Sequence, residues 1–248
     1  MLITHKIAWD KCLSHQLWPA IEKGWKDEDK PIHFFWGLAG KNIHDITMCE
    51  AQGEEWWYVD NGYMTQQITR YPEPIIHDYN KTYFRICKGG IHTTKLKECD
   101  NKRLNTEFKG WQSGEHILLC PSSPTVTFHV NGISQEEWIN KTINEIKNYT
   151  DRPIKIRNKP RPGNEWWNTN ILDDLKGVHC LVTNMSLAAV DAIINGVPCI
   201  TDKKNVANFV SSQDISKINS PFKPDNNEIN KWMKMLSYNQ FTIQEIKD

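Results

Sequence analysis

The residues of this sequence that could do chemistry gather at the ends of four apolar runs. EEWWYVDNGYM (54–64) reads as a strand closing on Asp60-Asn61-Gly62. A turn there would expose the Asp60 carboxylate as a proton acceptor; the other reading is an Asx-type turn in which Asp60 bonds its own backbone. His33, His92 and Glu50 are weaker candidates for the same work. In KIRNKPRP (155–162), Arg157, Lys159 and Arg161 alternate along a strand exit. Their side chains can project to one face and neutralise phosphate, or simply solvate the surface. KGVHCLVTN ends at Thr183-Asn184, and the small residues that follow would let backbone approach a ligand closely. A helix opening near Ser186 would aim unsatisfied N–H groups at that ligand, for which a diphosphate is a natural occupant, with the Ser186 hydroxyl as a further donor. Small-residue helices followed by Gly-x-Pro also occur in Rossmann-like α/β domains that bind no nucleotide. Ser122 and Ser123, directly after HILLCP, can cap a helix or touch a phosphate.

Metal and thiol chemistry find less support. Asp173-Asp174 sits in a helical stretch, and no DxD closes a strand. The seven cysteines, at 12, 49, 87, 99, 120, 180 and 199, form neither a CxxC pair nor a His/Cys cluster at zinc-ligand spacing. They read as reduced thiols, with Cys120, Cys180 and Cys199 as small core residues. No essential metal is expected.

The elements that must hold these groups follow from periodicity. PIHFFWGLAG (31–40) is a short strand running into a Gly37-x-x-Gly40 turn. YFRICKGGIHTTKL (83–96) is strand-like but broken at Gly89-Gly90, and 97–115 is polar without a clear period. HILLCPSSP gives a buried-type strand stopped at Pro121. ISQEEWINKTINEIKNY (133–149) carries Trp138, Ile139, Ile143 and Ile146 close to helical spacing. PIKIRNKP and KGVHCLVTN are further strands, and SLAAVDAIINGVPCIT is a small-residue helix stopped by Gly196 and followed by a strand. Strands alternating with helices predict parallel βαβ units, with functional loops at the carboxyl ends of the strands. NNEINKWMKMLSYNQFTIQEIKD predicts one amphipathic C-terminal helix from about residue 229.

A chain of 248 residues can bury a sizeable core. Thirty basic and thirty acidic residues cancel, so attraction to nucleic acid or membrane would need a local patch. KLKECDNKR (95–103), with Lys109 and Trp111 downstream, is one. No apolar stretch approaches a membrane span and no secretory leader is evident, so membrane insertion is not expected and the cytoplasm is the default compartment. Eleven tryptophans include Trp56, Trp57, Trp111, Trp166 and Trp167 in polar surroundings, where they could stack on sugars or bases or fill the core.

VTNMSLAAVDAIINGVPCIT (182–201) resembles the late strand–loop–helix–strand of GT-B glycosyltransferases, especially nucleotide-sugar transferases of bacterial polysaccharide synthesis and related phage proteins. KIRNKPRP resembles their basic strand exit, and MLSYNQFTIQEI (235–246) the terminal helix of phage and bacterial proteins of this kind; YVDNGYM and WGLAG carry the likeness in the first half. The resemblance implies an α/β fold of two facing Rossmann-like lobes with a cleft between them. Residues 1–114 would form the acceptor-side lobe and 115–228 the nucleotide-sugar lobe, with 229–248 packing back on the first. It implies a UDP-sugar or similar nucleotide-sugar as co-substrate, held by Gly37, Gly40, Ser122, Ser123, Arg157, Lys159, Thr183, Asn184, Ser186 and Asp191, the last near the ribose hydroxyls. Asp60 would be the general base, and no metal would be needed. With a Lys-, Asn- and Ile-rich composition, the likeness to phage proteins makes double-stranded DNA carrying hydroxymethylated cytosine the leading acceptor. A polysaccharide or lipid-linked glycan is the alternative acceptor. A non-catalytic nucleotide- or glycan-binding role, including sequestration of a host nucleotide signal, would keep the ligand site without needing Asp60.

Overall fold

The computed structural model describes residues 2–5, 14–25, 31–64, 83–93, 95–96, 106–161, 163–167 and 169–248. Cys12, Cys99 and positions 97–103 of the basic patch lie outside them. The described chain runs β1 (Leu2–His5), α1 (Ser14–Gly24), β2 (Ile32–Trp36), α2 (Asn42–Gln52), β3 (Glu55–Asn61) and β4 (Phe84–Lys88). It continues through β5 (His116–Leu119), α3 (Pro124–Asn131), α4 (Gln135–Lys147), β6 (Ile154–Ile156), α5 (Ile171–Asp174) and β7 (Val178–Thr183). It closes with α6 (Ala188–Ile194), β8 (Cys199–Thr201), α7 (Asn226–Tyr238) and α8 (Ile243–Lys247). The fold is mixed α/β with mainly parallel sheets. Two compact units divide it: unit 1 is residues 1–101 with 235–248, and unit 2 is residues 102–234.

Unit 1 has the sheet order β1-β2-β3-β4, the first three strands parallel and β4 antiparallel to β3. Alternation along the strands sends Ile32, Phe34, Trp36, Val59 and Phe84 to one face, where Leu17, Trp18 and Ile21 of α1 and Ile243 of α8 close the core. The Gly24 that ends α1 has no room for a side chain: a Cβ there would stand 1.9 Å from the Ile246 carbonyl oxygen. The opposite face, with His5, His33 and Phe35, looks toward α2, whose Asp45 lies 3.4 Å from His5.

The C-terminal residues do not make the single helix that the spacing predicts. α7 stops at Tyr238, Phe241 exchanges backbone hydrogen bonds with Phe84 at the edge of β4, and a capping box of Thr242 and Glu245 starts α8. The Gln240 side chain is buried and accepts the Met64 N–H at 3.0 Å. Strand-edge pairing and a buried amide outweigh the helical tendency of four residues. Residues 235–248 therefore complete unit 1, and the unit boundaries fall at 101/102 and 234/235 where the sequence reading has 114/115 and 228/229.

Unit 2 is a fully parallel sheet of order β6-β5-β7-β8. One face, made of Ile117, Leu119, Cys180, Val182 and Ile200, buries Ile146 of α4 and packs on Trp138, Ile139 and Ile143. Ser134 caps α4 through the Glu137 N–H at 3.0 Å. α6 is short and almost wholly buried through Ala189, Val190, Ala192 and Ile193. Residues 106–115, the described part of the polar segment before β5, are irregular and lie tightly against the unit. Gly196 (φ 81°) follows α6, and a Cβ on it would meet the Gly110 carbonyl oxygen at 1.8 Å. No helix among the described residues is long and apolar enough to cross a membrane.

Candidate functional site

In an open parallel sheet, ligands bind beyond the carboxyl ends of the strands, at the point where successive crossovers leave in opposite directions. In unit 2 that point lies between β5 and β7, the strands followed by Ser122-Ser123 and Asn184-Met185-Ser186. The chain closes it with its own hydrogen bonds. The buried Asn184 side chain accepts the Ser122 N–H at 3.0 Å and donates to Thr127 Oγ1 and Asn131 Oδ1 at 3.2 and 2.9 Å. Ser122 Oγ accepts the Met185 N–H at 3.0 Å, and its carbonyl accepts from the side chains of Thr127 and Gln135. The structure brings Ser122, Thr183 and Asn184 together, and Ser122 and Asn184 spend their polar groups on each other and on Thr127, Asn131, Gln135 and Met185.

Beside this latch a cavity of about 280 Å³ opens. Its floor is Val182, Thr183, Asn184, Ile200, Thr201 and Asp202 at the ends of β7 and β8, and α4 walls it with Trp138, Lys141, Thr142 and Glu145. Asn131, Ile133, Gln213 and Ile215 complete the lining. A half-buried indole set among hydroxyl, amide and carboxylate groups suits a ring with an apolar face and hydroxyl edges. Its volume is just below the ~300 Å³ lower end of small-molecule pockets, so it holds one sugar or nucleoside-sized group. One lysine faces two carboxylates, a balance that offers little to a diphosphate. Asp202 Oδ1 accepts the Lys204 N–H at 2.8 Å, which fixes the carboxylate at the strand end. Behind the latch, burial pushes the Cys120 thiol up to about 12, so β5 ends without a thiolate nucleophile.

The residues expected at a phosphate lie outside this cavity and are engaged within the fold. α6 begins at Ala188, two residues after Ser186, and the helix entry is already satisfied. Ser186 Oγ accepts the Ala188 N–H, the Ser186 carbonyl that of Ala189, and the Leu187 carbonyl those of Val190 and Asp191. Asn205 adds donors to the carbonyls of Asn184 and Ser186. β6 ends at Ile156, so Arg157, Lys159 and Arg161 follow it along the strand exit. Arg157 is buried in an ion pair with Asp174, donates to Thr169 Oγ1 at 2.9 Å and lies 5.6 Å from the Trp166 ring centroid. Its guanidinium is held by these partners within unit 2. Lys159 and Asp191 are exposed, and Ser123 is the α3 N-cap residue. None of these lines the cavity.

The remaining expected residues belong to unit 1. Gly37 and Gly40 both have φ 62°, so the turn after β2 needs glycine for its backbone; Cβ atoms there would meet nothing within 4 Å. Both oxygens of Asp60 are engaged. Oδ1 accepts the Asn61 N–H at 2.8 Å, and Oδ2 accepts from Arg85 Nη2 at 3.0 Å and the Tyr58 hydroxyl at 2.5 Å. Burial, then the neighbouring Asp60 charge, raises Tyr58 well above the ordinary phenol value, which keeps it the donor. Among the singled-out tryptophans, Trp56 is buried, Trp57 stacks on Phe34 with 5.9 Å between centroids, and Trp111 donates to the Pro224 carbonyl at 3.0 Å. The indole in the cavity is Trp138, which the sequence reading took as part of a helix stripe. Its signal is the pairing of that stripe with Lys141, Thr142 and Glu145 in the middle and last turn of the same helix. No protein-family model matches this chain, and no curated protein does.

Proposed function

We propose that this chain is a GT-B-type glycosyltransferase that binds a nucleotide-sugar through unit 2 and moves its sugar to a hydroxyl acceptor, the two units being its two Rossmann-like lobes. The observation that carries the donor half of this reading is the cavity at the ends of β7 and β8, with Trp138 on one side and Asp202 at the strand end. A carboxylate at such an end accepts hydrogen bonds from vicinal hydroxyls of ribose or hexose, and the indole covers the apolar ring face. Lys141 faces Glu145 and Asp202 in the lining, so the hold on the donor rests on its ring and hydroxyl groups more than on its phosphates. The transfer half rests on the resemblance of residues 182–201 and on Asp60 as the proton acceptor, with no metal in the transfer step. Hydroxymethylated cytosine in double-stranded DNA is the acceptor we propose.

Nucleotide-sugars offered to the purified protein with hydroxymethylcytosine-containing or unmodified DNA, followed by digestion and mass spectrometry of the nucleosides, test this directly. A hexose- or pentose-sized gain on the modified base alone supports the reading. Asp60→Asn is then expected to slow transfer by about 10²–10⁴-fold, the usual contribution of a general base, at unchanged donor affinity. No gain with any donor overturns the DNA acceptor. A binding-only role is the second reading, and the engagement of both Asp60 oxygens by Arg85, Tyr58 and Asn61 favours it. It predicts donor binding without turnover on DNA or glycan acceptors.

A further inference from the structure

Between α2 and the sheet of unit 1 the fold gathers five polar side chains that no short-range spacing announces. His33 on β2, Cys49 on α2 and Glu54 in the link to β3 bring an imidazole nitrogen, a thiol sulfur and a carboxylate oxygen within 4.8 Å of one another. Cys49 is buried, while Glu54 keeps a third of its side chain exposed, so the group is enclosed but reachable. His33 Nε2 lies 3.2 Å from Glu54 Oε2, yet it is buried and makes no well-directed hydrogen bond.

A second set of contacts fixes the orientation of His33. Its Nδ1 lies 3.0 Å from His5 Nε2, and His5 Nδ1 lies 3.4 Å from Asp45 Oδ2. His5 is held flat on Phe35, with 4.0 Å between ring centroids. The Asp45 carboxylate favours the His5 proton on Nδ1, so His5 Nε2 accepts from His33 Nδ1–H. In that tautomer the His33 Nε2 lone pair faces the Glu54 carboxylate and the Cys49 sulfur. Carboxylate–histidine relays of this kind orient and strengthen metal-binding imidazoles.

We propose that His33, Cys49 and Glu54 bind a divalent transition-metal ion of the zinc class, with His5 and Asp45 as positioning residues. Nitrogen, sulfur and oxygen donors together suit a borderline-soft ion and disfavour magnesium or calcium. Tetrahedral zinc, with bonds of about 2.0–2.3 Å, places its ligand atoms ~3.3–3.8 Å apart, so the trio needs only a small closure. Three protein ligands leave the fourth position to water. The site would tie α2 to β2 and β3. It lies wholly within unit 1 and does not rest on the donor reading.

The test uses the full chain, stripped with a chelator and titrated with Zn²⁺ against a chromophoric competitor and with Co²⁺ by absorption. One equivalent of metal and a thiolate-to-cobalt charge-transfer band are expected. Cys49→Ser should abolish the band, and Glu54→Gln, at a partly exposed position, should weaken zinc at least tenfold with an unchanged circular dichroism spectrum. His5→Ala should weaken it by about 10–100-fold while keeping the cobalt band, as loss of an orienting partner does. Absence of stoichiometric uptake, meaning that a proton on His33 satisfies the trio, overturns the proposal. A cobalt band that survives Cys49→Ser, or zinc affinity unmoved by Glu54→Gln, overturns it as well. If Cys49→Ser does not fold, the Glu54→Gln titration decides.

Discussion

Asp60 and Arg85 show how one side chain can carry a structural and a chemical assignment at once. Arg85 is buried and donates to the carbonyls of Ile91 and Asn61 as well as to Asp60. Arg85→Ala therefore leaves a carboxylate and two carbonyls short of partners and is expected to lower unfolding stability by about 3 kcal/mol in urea denaturation. Asp60→Asn keeps an acceptor for Tyr58 and should cost less, which makes it the cleaner kinetic probe. His92, buried against Tyr63, has its pKa driven well below the ordinary histidine value by burial and by the Arg85 charge, with Asp60 opposing. The folded state thus resists protonating it. As pH falls through the unfolded value of about 6.5, the unfolded chain takes up the proton first and stability is lost. His92→Gln should flatten the fall in melting temperature between pH 7 and 5; an unchanged slope would remove His92 as its source.

The latch between the β5 and β7 exits is the element-scale feature that shapes the site. Asn184→Ala removes one acceptor and two donors from a buried network, and we expect a loss of about 2–3 kcal/mol, larger than for Ser122→Ala. Gly196→Ala should also destabilise unit 2, because the turn after α6 needs positive φ and the Gly110 carbonyl fills the space of a Cβ. Thermal melts of both variants check this. The parallel strands of unit 2, helix α4 and the stop at Gly196 are legible in the sequence, because alternating apolar runs, 3.6-residue spacing and a glycine stop are local signals. α2 and α3 are not, since their apolar residues are few and mixed with polar ones. Thr183 and Asn184 are legible as strand-end residues. The roles of Arg157 and Ser186 are not, because Asp174, Thr169 and Asn205 reach them from outside the motifs that contain them. Trp138 was legible as helical, but its second role depends on the distant strands it faces.

At the scale of the whole molecule, unit 1 is discontinuous in sequence, closed by the last residues of the chain. Truncation after residue 234 removes the Phe241 pairing with Phe84, the Gln240 contact to Met64 and the α8 side of the core. Amide exchange should then show lost protection in β4 and α1, while β5 and β7 keep theirs. For the proposed DNA acceptor, the balanced charge of the chain predicts weak binding, so acceptor assays belong at low ionic strength. The unit 2 cavity is the proposed donor site. The most direct measurement is a calorimetric titration of the intact protein with a panel of UDP- and other nucleotide-sugars, repeated on Trp138→Ala and Asp202→Ala. One saturable site, weakened about tenfold or more in each variant, is the predicted result. Failure of every donor to bind, or binding that neither substitution changes, would contradict it.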